Sequence, residues 1–481
     1  MSKNIILFAD GTGNKGGYTP DSNVYKMYNA IEIHDTDVPQ YTFYDNGVGT
    51  STNKYLRAIG GAVGAGIKNN IIDLYAFLAL NYVSGDKVYL FGFSRGAATI
   101  RALCGFIDTV GLVKGASLKD DVLRKYTKQA FTAYENHETY TLIANNFHRH
   151  KNSHGKIPIH FVGVWDTVSA LGFPKRTDKM GVGLNILTYL FDKFETVSDW
   201  FWPHNFYKYD LNENIHNAYQ ALSIDDERTA FWPHVWNERK CKGTVEQVWF
   251  SGMHSNVGGG YERQGMANVT LYWMMLRAIE HGMTLKPGVL NAAHENSNIH
   301  GRLYNSRDGL AVYYRYHPRN IKQLCEGKLK GDIKIHSSVF ERLRKKTANY
   351  TPFMLPNKFE IVSSKINTTV KAFDFNGDKD WNKKRSIIDK GVNSRKKLYG
   401  RLVDLTLLVA IYFGCLWYED KPEFQKIVNP SLSDIFSFIS NYNTPIIVIS
   451  LIAVYLYRDN NKVYEKMVSS AEKIRTMIVG K

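Results

Sequence analysis

Short apolar runs that end in polar residues alternate with stretches of helical period through the first 280 residues. Ile5–Ala9 is one such run, closing on the turn Asp10-Gly11-Thr12-Gly13, and Tyr41–Tyr44 closes on Asp45-Asn46-Gly47. Ile67, Ile71, Leu74, Tyr75, Leu78 and Tyr82 recur at the spacing of an amphipathic helix. Lys87–Phe91 (KVYLF) predicts a strand, and the segment GFSRGAATIRALCGFI after it switches to helical period. Ile157–Trp165 is a nine-residue run that stops at Asp166. Gln247–Phe250 leads into Ser251-Gly252-Met253-His254, with a helix expected over about 267–280. Strands alternating with helices predict an α/β layer fold with a mostly parallel sheet. Its ligand crevice should lie along the carboxyl ends of the strands.

Two stretches depart from this alternation. Residues 172–245 are rich in glycine and aromatics, with Trp200, Phe201, Trp202, Phe206 and Tyr207 close together, and read as a cap insertion or as an aromatic satellite core. Past residue 300 the charge changes. The net charge is +16, yet residues 301–400 alone hold 23 Lys and Arg against 9 Asp and Glu. A basic block next to the most apolar part of the chain suits an anionic membrane surface better than nucleic acid. Little aromatic stacking pattern accompanies the charges, so no nucleic-acid partner is expected. Leu405–Tyr418 and Ile435–Tyr457 are free of charge, although Pro445 interrupts the second. Basic flanks and an acidic connection predict a membrane hairpin over 401–458 with both ends cytoplasmic, with two buried core helices as the alternative, followed by a tail, 459–481. The expected layout is therefore a catalytic domain, 1–300, and a basic region, 301–400, ahead of that hairpin.

Composition narrows the setting. Among 481 residues, 44% are hydrophobic and 22% charged, which excludes a disordered or fibrous chain. Four scattered cysteines exclude a disulfide framework and a zinc site. The opening MSKNIILFADGTGN lacks a cleavable leader pattern, so synthesis in the cytoplasm without a signal peptide is expected.

The chemistry centres on Gly92-Phe93-Ser94-Arg95-Gly96, a G-x-S-x-G sequence between a strand and a helix. A nucleophile elbow needs that context, because the turn tolerates no bulk two positions either side of the serine. The N–H of Arg95, at a helix N-terminus, would face a developing oxyanion, with Gly11 or Thr12 as second donor. A serine hydroxyl needs a base, and the base an orienting acid. Asp166 ends an apolar strand where packing gives an acid no purpose; Asp225, Asp226 and Glu227 are the alternatives. His254 follows a strand and precedes the flexible Val257-Gly258-Gly259-Gly260. His148, His150 and His154 lie among Asn, Lys and Arg and read as a solvated loop, and His160 as a residue bonded within the sheet. Gly61-Ala-Val-Gly64-Ala-Gly66 lacks the Lys-Ser/Thr ending of a phosphate loop. Asp10-Gly11-Thr12 lacks the nucleophilic Asp of an aspartyl-phosphate site, because Phe8 stands at that place. No metal or cofactor is called for.

Six ordered phrases then resemble a known family: LFADGTGN, YDNGVGT, YLFGFSRGAATIRAL, FVGVWDTVSALG, IHNAYQALSIDDERTAFWPHVW and VWFSGMHSNVGGGY. They are similar to a bacterial α/β-hydrolase family, long labelled a domain of unknown function, that includes the phospholipase effectors of type VI secretion systems. The resemblance covers about residues 1–300. It implies a Ser-Asp-His triad at Ser94, Asp166 and His254, acting without a metal on acyl esters of glycerophospholipids. The family often has Asp two places after the histidine, where this chain has Asn256. A phospholipid bilayer is the implied substrate and docking surface, with a secretion or immunity protein as further partner. An antibacterial effector, membrane-associated and delivered to another cell, is the implied setting. An anti-phage effector or a membrane-tethered signalling protein is the alternative.

Overall fold

The computed structural model describes residues 2–11, 13–14, 16–18, 20–47, 60–137, 155–168, 207–308, 314–364, 369–419 and 432–480. Side chains are described throughout these except at 60–65, 403–404, 406–408 and 410–448. In chain order the elements are β1 (Asn4–Ala9), α1 (Asn23–Ala30), β2 (Gln40–Asp45), α2 (Gly60–Asn81), β3 (Lys87–Phe93), α3 (Arg95–Val110) and α4 (Asp120–Glu135). There follow β4 (Phe161–Trp165), β5 (Asn217–Ser223), β6 (Thr244–Phe250), α5 (His254–Gly258), α6 (Gly265–Glu280) and α7 (Val289–Glu295). The last are α8 (Ile321–Cys325), β7 (Lys334–His336), α9 (Ser337–Arg344), β8 (Lys358–Val362), β9 (Thr369–Asp374), α10 (Lys379–Glu419) and α11 (Leu432–Val479).

The strands form one sheet in the order β2-β1-β3-β4-β5-β6-β7-β8-β9. Every neighbouring pair is parallel except β8 with β9. A parallel sheet must be covered on both faces, which is why β1, β3 and β4 read as unbroken apolar runs. Alternate residues divide between two cores. Ile5, Leu7, Val88 and Leu90 pack with α2, α3 and α4 on one face. Ile6, Phe8, Phe91, Phe161 and Trp165 pack with α1 and α6 on the other. The periodic residues Ile67, Ile71, Leu74, Tyr75, Leu78 and Tyr82 are all buried.

Three expectations change. Residues 169–206 lie outside the described residues, with the Trp200–Phe206 cluster among them. Within the rest of the expected cap, Asn217–Ser223 belongs to the sheet as β5, paired between β4 and β6. Its polar residues disguise it: Asn217 donates to His160 O, and Gln220 bonds Thr167 and His234 O. The catalytic-domain boundary at 300 is also superseded, since β7, β8 and β9 extend the same sheet to Asp374. Nor is 301–400 simply a cationic surface, because Arg307, Arg319, Arg342 and Arg395 are buried.

By its contacts the chain divides into two units. The first holds the sheet; the second is built on Gly377–Lys481 and Arg307–Pro318. In the second unit α10 and α11 pack along each other, with Gly391 so close to Met467 that a Cβ would sit 2.3 Å from Met467 Cγ. Arg395 ties the unit together, bonding Asn460, the hydroxyl of Tyr316 and that of Tyr399. Among the described residues no helix is long and apolar enough to cross a membrane. The spanning hairpin expected at 401–458 is therefore not found among them, and most of its side chains, 403–448, lie outside those described. Instead α10 and α11 continue their apolar runs into charged stretches, Lys379–Arg401 and Arg458–Lys473.

His336, at the end of β7, is buried, stacked on Phe250 and bonded to Ser338 and Ser364. Burial, reinforced by Arg277, pushes its pKa down to about 3. The folded chain keeps this ring neutral while the unfolded chain protonates it below about pH 6.5, so its contribution is lost progressively between about 6.5 and 3. In urea titrations His336→Gln should therefore lose about 2 kcal/mol less stability than the parent chain between pH 7 and pH 5. Parallel pH curves would rule this out.

Candidate active site

The carboxyl ends of the strands are level. Ala9 pairs with Gly92, Phe93 with Trp165, and Trp165 with Ala221. The residue after each strand thus emerges at one edge of the sheet, and this register brings Ser94 and Asp166 to neighbouring places. Both adopt a left-handed backbone, with φ of 58° at Ser94 and 42° at Asp166. Such strain in a non-glycine residue persists only where its surroundings enforce it. Here they do: Ser94 N–H donates to Trp165 O, and Asp166 N–H donates to Ala221 O.

The two elbow glycines have steric reasons. A Cβ on Gly92 would lie 2.7 Å from Gly96 O, and one on Gly96 would lie 2.1 Å from Ala9 O. Those neighbours are backbone and cannot swing aside. Ser94 stands at the N-terminus of α3 but makes no capping bond with its side chain. Its hydroxyl turns instead to His254, with Oγ 2.7 Å from Nε2. The other ring nitrogen, Nδ1, is 2.5 Å from Asp166 Oδ2. The carboxylate can only accept, so Nδ1 carries the proton and Nε2 is left to accept from Ser94. Phe93 packs on the imidazole at 4.7 Å between centroids, and Phe231 meets it edge-on at 5.1 Å. All three polar residues are buried, Ser94 at 7% exposure being the most accessible.

Asp166 is balanced by a residue that the sequence pattern did not single out. Arg319 Nη1 donates to Oδ1 at 2.6 Å and Nη2 to Oδ2 at 2.8 Å. Ser223 N–H adds a bond to Oδ1 at 2.9 Å. Burial alone would raise the carboxyl pKa; the Arg319 guanidinium and His254 more than offset it and hold it well below the usual carboxylate range. For His254 burial lowers the pKa, Asp166 opposes, and Arg319 adds to the lowering, so the ring rests neutral.

Of the alternative acids, Asp225 and Asp226 brace the backbone of the histidine loop. Asp225 accepts from Gly252 N–H and from the Tyr350 hydroxyl. Asp226 pairs with Arg228 and accepts the backbone N–H of His254 at 3.4 Å. Glu227 takes its backbone N–H to Ser306. Asn256 accepts from Met253 N–H and donates to Arg302 O, a bracing place rather than a place against the imidazole.

Arg95 opens α3 directly after Ser94. Gly11 N–H already donates to Asp10 Oδ1 at 2.6 Å, which counts against it as a ready oxyanion donor; Thr12 lies outside the described residues. Asp10 also accepts from Ser22, Tyr44 and Asn14, so its carboxylate organises the loop after β1. Burial raises its pKa against those bonds. Gly61–Gly66 falls within α2. His148, His150 and His154 lie outside the described residues, while His160 bonds His281 O. No group of three or more His, Cys, Asp or Glu among the described residues is arranged to hold a metal.

Residues 3–277, more than half of the chain, match the family described as T6SS phospholipase effector Tle1-like, catalytic domain. Uncharacterized protein YEL023C of Saccharomyces cerevisiae is similar at 26% identity, with 60% of this chain and 58% of that protein covered. The chain thus spans less than two thirds of that relative. A Tle1 effector bound to the VgrG spike of the type 6 secretion system is similar at 16% identity and a TM-score of 0.30, over 55% of this chain and 52% of that one. An uncharacterized protein from Pseudomonas aeruginosa is similar at 15% identity and a TM-score of 0.34, over 84% of this chain and 60% of that one. Scores this low carry no weight. The family match does: the chain belongs to the Tle1-like type VI secretion phospholipase effector family, through its catalytic domain.

Proposed function

We propose that this protein is a serine esterase that cleaves acyl esters of membrane glycerophospholipids. The observation that carries the reading is the continuous bonding of Ser94 Oγ, His254 and Asp166, at 2.7 and 2.5 Å. Ser94 Oγ attacks the ester carbonyl carbon while His254 Nε2 takes its proton. Asp166 stabilises the imidazolium that forms. The tetrahedral oxyanion is received at the start of α3, where Arg95 N–H and the helix dipole favour negative charge. His254 then returns the proton to the departing lysophospholipid oxygen, and the ester carbonyl re-forms on Ser94. Water, activated by the same imidazole, releases the fatty acid. Ester chemistry of this kind calls for no metal.

A lipid substrate also accounts for the surface of the second unit. Leu451, Ile452, Val454, Tyr455 and Tyr457 on α11 are exposed, and Arg458, Lys462 and Lys466 follow them. Apolar side chains beside cations match the boundary of an anionic bilayer, so the protein docks on the membrane surface. A bacterial effector acting on membranes, delivered by a secretion apparatus and restrained by an immunity protein, is the setting we infer.

With mixed phospholipid vesicles, mass spectrometry should find fatty acid and lysophospholipid, in yields unchanged by chelator. Ser94→Ala and His254→Ala should each lower turnover by ~10⁴–10⁶, and the double variant by little more, because the groups act as a unit. Release of phosphorylated headgroups, or full turnover in Ser94→Ala, would sink this reading. In co-sedimentation, vesicles containing phosphatidylglycerol should bind the parent chain, and Leu451→Glu with Tyr455→Glu should bind several-fold more weakly. Equal binding of the two chains would argue against docking by α11.

A further inference from the structure

Arg319 lies beyond the segment that matches the family, yet its side chain ends on the carboxylate of Asp166. The two guanidinium nitrogens meet the two carboxylate oxygens one to one. Nη1 is anchored further by Ser223 O at 2.7 Å, and Nη2 by Phe231 O. Both side chains are fully buried. A planar fork on a planar carboxylate fixes its rotation, and so the direction from which Oδ2 receives Nδ1–H of His254. An ammonium on a flexible stem fixes no such plane.

The charge matters as much as the plane. An unbalanced carboxylate beside Nδ1 favours the imidazolium; a guanidinium on its far side offsets that pull. Among the described residues, the charged and titratable groups around His254 are these. Asp166 faces Nδ1 and Ser94 faces Nε2. Asp226 sits at the backbone N–H, already paired with Arg228. Tyr261 lies near Asp226 and Arg228, and Asp225 is held by Gly252 and Tyr350. Arg319 is thus the cation joined directly to the carboxylate that His254 uses.

We propose that Arg319 is a positioning residue of the esterase reaction, which fixes the plane of the Asp166 carboxylate and offsets its charge so that His254 stays an unprotonated base into the acidic range. This rests on the serine-esterase reading above. The direction of the effect agrees with the lowering that Arg319 exerts on the His254 ring.

The test uses the full-length chain, a soluble short-chain ester, pH 4.5 to 9, and circular dichroism to establish folding. In the neutral variants Arg319→Met and Arg319→Gln the acid limb of kcat/KM should move up by about one pH unit. Their kcat should fall by up to ~10²-fold with KM little changed. Arg319→Lys should keep the acid limb near that of the parent chain and still lose kcat, because it keeps the charge without the fork. Folded neutral variants with an unmoved limb and full kcat would overturn the proposal. If the neutral variants do not fold, Arg319→Lys decides: kcat equal to the parent's overturns it, and a lowered kcat with an unmoved limb supports it. Ser94→Ala, run alongside, separates the two claims. Activity surviving there removes the esterase reading itself, whereas activity lost there and retained in the Arg319 variants removes only the role of Arg319.

Discussion

A carboxylate with no access to water must be neutralised, and the site is organised around how Asp166 meets that constraint. Its Oδ2 serves both His254 and Arg319, and its Oδ1 serves Arg319 and the Ser223 N–H. Removing one member of such a buried pair leaves an uncompensated charge, at a typical cost of about 3–5 kcal/mol. The partners come from distant parts of the chain: the end of β4, the end of β5, the start of α5, and Arg319, two positions before α8. Closing this set of bonds holds two strand ends, the histidine loop and the segment before α8 in one arrangement.

The elbow imposes a second constraint, and it is steric. Ser94 is held at positive φ because Gly92 and Gly96 bring α3 against the backbone of Ala9 and Asp10. The loop after β1 is fixed in turn by the Asp10 carboxylate, which gathers Ser22, Tyr44 and Asn14. Strand, elbow and loop therefore form one packed piece. Strain at Ser94 and Asp166 is tolerated because neither can relax without breaking bonds to its neighbours in the sheet.

The second unit follows different physics. Its helices meet through a close approach at Gly391 and Met467, and through Arg395 among three tyrosine rings. Positive charge that looks like a surface in sequence is here partly internal. Arg395 and Arg307 stack on Tyr316 and Tyr399, where the guanidinium plane serves packing as well as charge. What the unit leaves exposed is an apolar stretch of α11 with cations after it, the combination that suits a lipid boundary.

By itself the sequence determined the features that are local. Apolar runs ending in polar residues placed β1, β3, β4 and β6, helical spacing placed α2 and α6, and the glycines about Ser94 marked the elbow. Ser94 and Asp166 were legible because each directly follows a strand, where packing gives a polar residue no purpose, and His254 because it comes shortly after β6 and before a glycine-rich run. The tertiary structure decided everything that depends on partners far away in the chain. Strand β5 was hidden because its half-buried Asn217 and buried Gln220 and Ser223 are satisfied by residues outside it. Strand β7 was hidden by its shortness, and β8 and β9 by the charged residues within and around them. Arg319 bore no local mark at all: in the sequence it was one cation among 23 in a basic stretch. Only the folded chain puts it against Asp166, since a buried charge finds its partner through the fold and not through spacing.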